Sequence, residues 1–332
     1  MNWPVAPNIH FRFLSDDELI PNQNRGILSV AWQGSLLIRK ILKETKANSL
    51  FLIHLVRYMP FLPFLASKNT KIYGIIYRIY LYEWATSSFP KKVIDFVLNW
   101  LYANMSSFSR IFILNDKGAA SYLNRIWRTD RFEFLVDPYF GGTGNCCPHP
   151  KTFHDKLTFI HLGALSRRKG TINILNALQK LSKTEQQRVC LIFAGQVHQD
   201  IRNEFYHAID KLSKTIEIKV YDDYISFERI GELCTVSDYV LIPYLNTAQS
   251  SGIISIAAKY SIPVIGPRQG LLGKLIRSNN LGITLPDVSA SSICDQIRKC
   301  IHSEQITISS DYLSHHTVSE FLSQIFSALT SR

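Results

Sequence analysis

The stretch "YLNTAQSSGIISIAAKYSIPVIGPRQG", residues 244–270, predicts a turn, a helix and a strand in succession. An apolar run, "DYVLIPY", leads into it and the apolar run "IPVIG" lies near its end, so two buried strands flank one helix. The helix of such a parallel unit starts at the carboxyl edge of the sheet, where its free backbone N–H groups favour an anion. Because no acidic or basic side chain lies between Tyr244 and Lys259, the backbone itself would hold that anion.

The same alternation of strands and helices extends over the second half of the chain. Strands are predicted at 157–164, 188–195, 216–222 and 238–244, and helices at 171–183, 200–214, 227–237, 271–278 and 289–302. Strands separated by helices of this length predict an α/β fold, in which a doubly wound parallel sheet is covered on both faces.

The first half repeats the pattern less regularly. Helices are predicted at about 27–46, 59–67, 90–105 and 117–127, and strands in "SLFLIHL", "KIYGIIYRIY", "RIFILN" and "FEFLV". Because only "NIHFRFL" precedes the first long helix, we expect this domain to lack its first strand–helix unit. Two Rossmann-like domains with doubly wound parallel sheets are therefore predicted, facing a central cleft.

The domain boundaries follow the composition. The segment 139–156, within "DPYFGGTGNCCPHPKTFHDK", is rich in glycine, proline and polar residues and is predicted to link a first domain, 1–138, to a second, 157–310. "GGTGN" is a weaker candidate for a phosphate loop, because "CCPHP" cannot begin a helix. The adjacent Cys146 and Cys147 disfavour a zinc site there.

Charge and cysteine content limit the classes of function. The 332 residues carry a net charge of +11, and the first 150 residues contain 17 basic against 10 acidic side chains. That excess favours phosphate-rich partners, and nucleic acid is the weaker explanation because no nucleic-acid-binding module is recognisable. Six scattered cysteines, no visible signal peptide and no uninterrupted membrane-spanning segment predict a cytoplasmic protein.

Residues with binding chemistry follow two of the other predicted strands. "HLGALSRRKG" places Gly163 at a strand end and then Arg167, Arg168 and Lys169 in a turn before a helix. Cations at a helix start oppose the helix dipole unless an anion compensates them, which favours diphosphate binding over a solvated turn. Gly195 ends the next strand, where a glycine either lets a ligand approach or only makes a turn.

The third such strand end lies in the opening stretch. Ser250 and Ser251 are predicted to cap the helix that begins near Gly252, and the N–H groups of its first turn, up to Ile253, would form an anion pocket. The alternative is a plain helix cap. Because ligands bind where the carboxyl ends of parallel strands meet, we predict that the two turns share one phosphate group.

Five segments of the second half carry a resemblance to a known family. They are "FIHLGALSRRKGTINILNAL", "LIFAG", "ISFERIGELCTVSDYVLIPY", "SSGIISIAAKYSIPVIG" and "LLGKLIRSNNLGI". In this order and spacing, residues 157–302 resemble the nucleotide-sugar-binding domain of GT-B glycosyltransferases of the family 4, or group 1, type. The first half resembles the acceptor domain of that family only in outline. The resemblance implies that the last helix, within 311–332, packs back toward it.

The resemblance implies a nucleotide-sugar donor as substrate, a UDP-, GDP- or ADP-sugar, with no other cofactor and no metal ion. The donor diphosphate would meet Lys169 and the helix start described above, which follows Tyr244. The nucleotide base would lie near Tyr224 and Ile225.

Three departures from the family pattern bear on catalysis. The paired glutamates of the family would fall near Ala248 and Ile256, so both carboxylates are absent, although some exopolysaccharide-type members carry a similar "SG" helix start. The family arginine after the first glycine is Ala164 here, and an arginine of the following turn would substitute for it. The family histidine of the first domain falls near Tyr77.

No spacing fixes the base that an inverting transfer needs for the acceptor hydroxyl. Candidates near predicted strand ends of the first half are His54, Glu83, Asp95 and Asp116. His54 is predicted inside an apolar strand, which favours a core histidine over a base. Tyr77 and Arg78 are candidate catalytic residues of the cleft, with packing roles as the alternative.

Residues 51–105 are rich in aromatic and basic side chains, and in the strand segments core aromatics with solvated basic residues are the favoured interpretation. "MPFLPF" and "FPKKVIDFVLNW" instead favour contact with an anionic membrane. Together these features predict a metal-independent glycosyltransferase that acts on a glycan or lipid-linked acceptor in cell-surface polysaccharide biosynthesis, peripherally on the inner face of the plasma membrane. The alternative is a non-catalytic glycosyltransferase-like subunit that binds a nucleotide or a partner enzyme. A nucleotide-sugar epimerase is a third, weaker reading, and the oligomeric state stays open.

Overall fold

The computed structural model of this chain describes residues 9–15, 18, 26–67, 69–141, 156–303, 306, 308 and 311–330. The chain forms two compact units. The first comprises Met1–Ile76, Phe89–Phe112 and Ala120–Glu133, and the second comprises Tyr77–Ser88, Ile113–Ala119 and Phe134–Arg332.

The first sheet has four strands in the order β1-β2-β3-β4. They are β1 (Ser49–Leu52), β2 (Lys71–Ile76), β3 (Phe108–Leu114) and β4 (Phe132–Leu135), with helices α1 (Ile27–Thr45), α2 (Leu62–Leu65), α3 (Phe89–Asn104) and α4 (Lys117–Trp127). Strands β1 and β2 run parallel, with Ser49 opposite Lys71. The helix predictions for 27–46, 90–105 and 117–127 are confirmed.

Two predicted strands of the first half are shorter than expected. The strand predicted in "SLFLIHL" ends at Leu52, because the chain turns into a 3-10 helix at Leu55–Tyr58. There the fully buried Leu55 packs against Gly74, whose missing side chain makes room for it. The strand predicted in "KIYGIIYRIY" ends at Ile76, and the residues after it belong to the second unit.

The second sheet has six parallel strands in the order β10-β9-β8-β5-β6-β7. They are β5 (Leu157–Leu162), β6 (Val189–Ala194), β7 (Glu217–Tyr221), β8 (Tyr239–Leu241), β9 (Val264–Pro267) and β10 (Gly282–Leu285). The helices are α5 (Thr171–Gln179), α6 (Lys183–Gln187), α7 (Arg202–Leu212), α8 (Phe227–Thr235), α9 (Gly252–Lys259), α10 (Gly270–Ser278), α11 (Ala290–His302) and α12 (Val318–Thr330). The predicted doubly wound parallel sheet is confirmed.

Two elements of this unit were not predicted from the sequence. Strand β10 is a short edge strand with three partly exposed residues, so it lacks the apolar run that marks a buried strand. Helix α6 is only five residues long and depends on a capping box between Ser182 and Glu185. Conversely, the strand predicted at 238–244 pairs only over Tyr239–Leu241.

The strand order places a crevice in the middle of the second sheet. When the strands are numbered from β5, their order in the sheet is 3-2-1-4-5-6. Strands β6 and β7 are added on one side of β5, and β8, β9 and β10 are added on the other side, so the order switches between β5 and β8. Phe159, Leu191 and Phe193 fill the core around these central strands. Because the helices after β5 and β8 lie on opposite faces in this topology, the carboxyl ends of these two strands are the expected ligand site.

The predicted linker 139–156 lies mostly outside the described residues, and so do Cys146 and Cys147. Helix α12 belongs to the second compact unit, and its packing against the first domain stays a prediction. Among the helices that the structure describes, none is both long and apolar enough to cross a membrane.

Candidate functional site

A cavity of about 480 Å³ lies at the carboxyl ends of the second sheet, lined entirely by residues of the second unit. Its walls come from the turns after β4, β5, β6 and β7 and from the first turns of α8 and α9. The lining residues are Asp137, Pro138, Tyr139, Phe140, Gly163, Ala164, Lys169, Ala194, Gly195, Gln196, Asp223, Tyr224, Ile225, Phe227, Ile230, Ser251, Gly252, Ile253 and Ile256.

Two glycines shape the cavity where β5 and β6 end. Gly195 has φ +139°, and a Cβ there would lie 2.2 Å from the carbonyl oxygen of Gly163. Gly163 has φ +86°, and a Cβ there would lie 2.7 Å from the Nζ of Lys169. Any larger residue would therefore strain the backbone and displace either the neighbouring turn or the Lys169 ammonium.

The Lys169 ammonium is the one basic group that lines the cavity among the described residues. It closes a 3-10 turn, Arg167–Lys169, and lies 5.1 Å from the ring centroid of Tyr244. The turn is fixed to the segment after β8, because the Leu245 N–H donates to the Arg168 carbonyl at 2.9 Å. No carboxylate of the described residues pairs with Lys169, so its charge is available to an anion.

A buried histidine holds the turn of residues 167–169 in place through hydrogen bonds. His161 is fully buried in β5, and its Nδ1 must donate to the Leu241 carbonyl at 2.7 Å, since a carbonyl only accepts. Its Nε2 then accepts from the Thr171 hydroxyl at 3.0 Å, and that hydroxyl accepts the Ser166 N–H. Burial lowers the pKa of His161 to about 4, so the ring stays neutral at pH 7 and holds the Lys169 turn against β8. The apolar run of the sequence identifies His161 only as a residue of a predicted strand and does not show these hydrogen bonds.

The start of α9 lines the same cavity. Ser251 occupies the N-cap position but makes no side-chain cap bond, and the Ser250 hydroxyl points instead to a carboxylate. The prediction that these serines cap the helix is therefore wrong. The N–H groups of Gly252 and Ile253 have no acceptor among the described residues, and a Cβ on Gly252 would meet only open space. An uncapped helix start of this kind favours an anion.

That carboxylate belongs to Asp137, which sequence reasoning missed. Ser250 Oγ donates to Asp137 Oδ2 at 2.7 Å, and the Asp137 N–H donates to Asn115 Oδ1 at 2.9 Å. Asn115 Nδ2 also donates to Ser250 Oγ at 2.9 Å. Asn115 has φ +60°, a conformation that asparagine tolerates better than most residues. The only sequence signal is an aspartate directly after the strand in "FEFLVDP", two residues before the predicted linker.

The sequence model of the family "Glycosyl transferases group 1" matches residues 149–314, half of the chain. This chain belongs to the group 1 glycosyltransferase family. It is a glycosyltransferase, and its two Rossmann-like units have the GT-B fold. No curated protein matches the sequence.

Solved structures of other glycosyltransferases share this fold. Anabaena HepE in complex with UDP and glucose is 16% identical, with a TM-score of 0.67 over 94% of this chain and 85% of that one. A glycosyltransferase from Rickettsia africae is 12% identical, with a TM-score of 0.63 over 95% and 85%. WaaG, a glycosyltransferase involved in lipopolysaccharide biosynthesis, is 16% identical, with a TM-score of 0.59 over 90% and 78%. At these identities the likeness shows the fold alone.

Some of the predicted donor-binding residues of this glycosyltransferase line the cavity, and others do not. Tyr224 and Ile225 line the cavity, and Tyr224 is 80% exposed. Arg167 and Arg168 are exposed and do not line it, and Arg167 pairs with Glu204 at 2.6 Å. Their donor-binding roles stay predictions.

The predicted catalytic residues lie outside the cavity lining. Arg78 pairs with Glu83 at 2.9 Å and forms an isolated bridge to Gln249. Tyr77 is partly buried, and its pKa is raised by burial and by the charge of Asp137. His54 is exposed at the start of a 3-10 turn in the first unit, so the expectation that it is a core histidine is wrong.

Two further candidate bases, Asp95 and Asp116, lie where their side chains contribute to the fold. Asp95 is buried in α3. The Asp116 carboxylate accepts hydrogen bonds from the Tyr82 hydroxyl, from Lys274 Nζ at 2.6 Å and from the Ala119 N–H at 3.0 Å. It therefore caps α4 and neutralises a lysine. Among the described residues no cluster of three or more His, Cys, Asp or Glu side chains could hold a metal ion.

Proposed function

We propose that this glycosyltransferase binds a nucleotide-sugar donor in the cavity, with the donor diphosphate between Lys169 and the start of α9. One observation carries the proposal: an ammonium that pairs with no carboxylate of the described residues lines the same cavity as a helix start that has no side-chain cap. A diphosphate needs both counter-charge and N–H donors, and these two groups supply them. The UDP and UDP-glucose complexes of Anabaena HepE support a UDP-sugar as the first donor to test.

The chemistry we infer is sugar transfer without a metal ion or another cofactor. Negative charge grows on the diphosphate as its bond to the sugar breaks, and preorganised donors stabilise that charge. The Lys169 ammonium and the start of α9 line the same cavity and would supply this stabilisation. Tyr224, Ile225 and Gln196 form another part of the cavity wall, where we place the nucleotide base.

Calorimetry with UDP, GDP and ADP tests the donor site. We expect one of these nucleotides to bind at least about tenfold more tightly than its nucleoside, because the diphosphate adds charge-assisted hydrogen bonds. Equal affinity for nucleotide and nucleoside would contradict the assignment. Binding without turnover of any donor would favour the non-catalytic subunit over the enzyme.

We further infer that the acceptor is a glycan or a lipid-linked glycan of the cell surface, reached at the inner face of the plasma membrane. Helix α3 supports membrane contact because residues 89–100 bury polar side chains and expose apolar ones, although Leu101, Tyr102 and Ala103 at its end are buried. It buries Asp95 and Asn99 but exposes apolar side chains, among them Phe89 at 79% and Trp100 at 47%. The exposed apolar residues are Phe89, Val93, Ile94, Phe96, Val97 and Trp100. An exposed apolar stripe with basic residues nearby, here Lys91 and Lys92, suits an anionic lipid surface.

Co-sedimentation with vesicles checks this inference. We expect binding to vesicles that contain anionic lipid, and a loss of about tenfold or more for the double variant Phe89→Ser, Trp100→Ser, because two exposed aromatic side chains that would be buried in the lipid are removed. Phe326→Ser, which removes an aromatic side chain 59% exposed on α12, is the matched control and should bind as the wild type does. Equal binding by all three proteins would contradict membrane contact through α3.

A further inference from the structure

We propose that the Asp223 carboxylate accepts hydrogen bonds from the nucleotide base of the donor and selects guanine, which makes the donor a GDP-sugar. This inference rests on the proposed donor site and names its nucleotide. Asp223 follows β7 and lines the same cavity as Lys169 and the start of α9. Apart from Asp137, it is the only carboxylate among the described residues that line this cavity.

The spacing of the strands separates Asp223 from the position of the diphosphate. Lys169 follows β5 and α9 follows β8, whereas Asp223 follows β7, and β6 lies between β5 and β7. Neighbouring strands lie about 4.8 Å apart, so the carboxyl ends of β5 and β7 are about 10 Å apart. A nucleoside diphosphate that lies across these strand ends would place its ribose at Gly195, after β6, and its base at Asp223. Because Gly195 has no side chain, the ribose can cross there.

The contacts of Asp223 leave its carboxylate available to a ligand, unlike those of its neighbour Asp222. Asp222 pairs with Arg202 at 2.8 Å and accepts the Tyr206 hydroxyl at 2.7 Å, so it contributes to the fold. Among the described residues, the Asp223 carboxylate accepts one hydrogen bond, from the Tyr224 N–H at 2.6 Å, and pairs with no basic side chain. A carboxylate has about four acceptor positions on its two oxygens. The Tyr224 contact therefore orients the group, and both oxygens can still accept from a base.

The hydrogen-bonding edges of the bases differ in how they match a carboxylate. Guanine has two adjacent donors, N1–H and the 2-amino group, which can donate to the two carboxylate oxygens in a bidentate contact. Uracil has one donor, N3–H, between two carbonyl oxygens that would repel the carboxylate. Adenine has its 6-amino donor beside the N1 acceptor. Of these three bases, guanine alone offers both oxygens a donor.

The other side chains in this part of the cavity wall do not distinguish between bases. The Tyr224 ring is 80% exposed and offers its face to any base. Gln196 carries both a carbonyl oxygen and an amino group, so it can contact either kind of edge. Ile225 offers only apolar contact. The UDP-bound structure of Anabaena HepE is 16% identical to this chain, so its base does not predict the one accepted here.

Calorimetry with the full chain tests the choice of base. We expect GDP to bind at least about tenfold more tightly than UDP, ADP or inosine diphosphate, which lacks the 2-amino group of guanine. Asp223→Asn should weaken GDP binding at least about tenfold and leave the affinities for UDP and ADP within about threefold of the wild-type values. Asp210→Asn, which changes an exposed carboxylate on α7, is the matched control and should leave all these affinities within about threefold.

Xanthosine diphosphate provides a second readout that a purely structural role of Asp223 would not change. Xanthine has a carbonyl oxygen where guanine has the 2-amino group, so it offers one donor and one acceptor. The side-chain amide introduced by Asp223→Asn has the complementary acceptor and donor. We therefore expect this variant to bind xanthosine diphosphate more tightly than GDP, the reverse of the wild-type order.

Three results would overturn the guanine assignment and leave the donor site standing. They are tighter binding of UDP or ADP than of GDP by the wild type, an unchanged preference for GDP in Asp223→Asn, and an equal loss of all three nucleotides in that variant. The equal loss would assign the carboxylate to the ribose hydroxyls, which all three share. If none of the nucleotides bound to the wild-type chain, the proposed function itself would be overturned, and this inference with it.

Discussion

Lys169→Ala is expected to lower kcat for donor turnover by roughly 100- to 1000-fold, the effect of removing a preorganised group at a developing negative charge. The same change should weaken UDP binding by about tenfold, because the diphosphate loses a charge-assisted contact but keeps the N–H groups of α9. The larger loss falls on kcat because the diphosphate carries more charge in the transition state than in the donor. Donor turnover and calorimetry measure the two effects separately.

The control for this prediction comes from the same turn. Arg168→Ala removes a neighbouring positive charge from a side chain that does not line the cavity, so both constants should stay within about threefold of the wild-type values. If Arg168→Ala were as damaging as Lys169→Ala, the effect would be general electrostatic attraction. The assignment of the diphosphate to the Lys169 position would then be wrong.

The sequence supports a correct fold prediction because most elements of the second unit have a strong local signal. Strands such as β6 are continuously apolar and fully buried, which distinguishes them from the amphipathic helices between them. Gly163 and Gly195 were predicted at strand ends, and their positive φ angles require glycine there. The prediction failed where the local signal is weak and tertiary contacts determine the structure. This is the case at β10, which was not predicted, and at β1, which ends before Leu55.

The candidate site was harder to predict because it depends on pairings between distant residues. Three cations in one turn look equivalent in the sequence, yet Arg167 pairs with Glu204, 37 residues away, and only Lys169 reaches the cavity. No sequence motif marks Asp137, because Ser250, which donates a hydrogen bond to its carboxylate, is 113 residues away. Nor does the sequence show that α3 buries Asp95 and Asn99 together with Leu101, Tyr102 and Ala103.

Asp116→Ala should be the most destabilising of the changes considered for the second unit. The side chain is 1% exposed, and it serves as partner to Lys274, as acceptor for Tyr82 and as cap of α4. Its loss leaves the Tyr82 hydroxyl and the Ala119 N–H without their acceptor, at a typical cost of about 1–3 kcal/mol for each buried donor, whereas Lys274 is 45% exposed and stays solvated. We expect the free energy of unfolding of this unit to fall by about 2–5 kcal/mol, and its Tm by about 5–15 °C.

Thermal unfolding followed by circular dichroism measures this change, with Asp295→Ala as the matched control. Asp295 also pairs with an arginine, at 2.9 Å, but its side chain is 64% exposed, so its loss should cost less than about 1 kcal/mol. The comparison also separates two roles for Asp116. A lowered Tm would identify its carboxylate as structural support for the segment that carries Asn115. A wild-type Tm together with a loss of donor turnover would contradict that role, and would show that Asp116 acts on the reaction and not on stability.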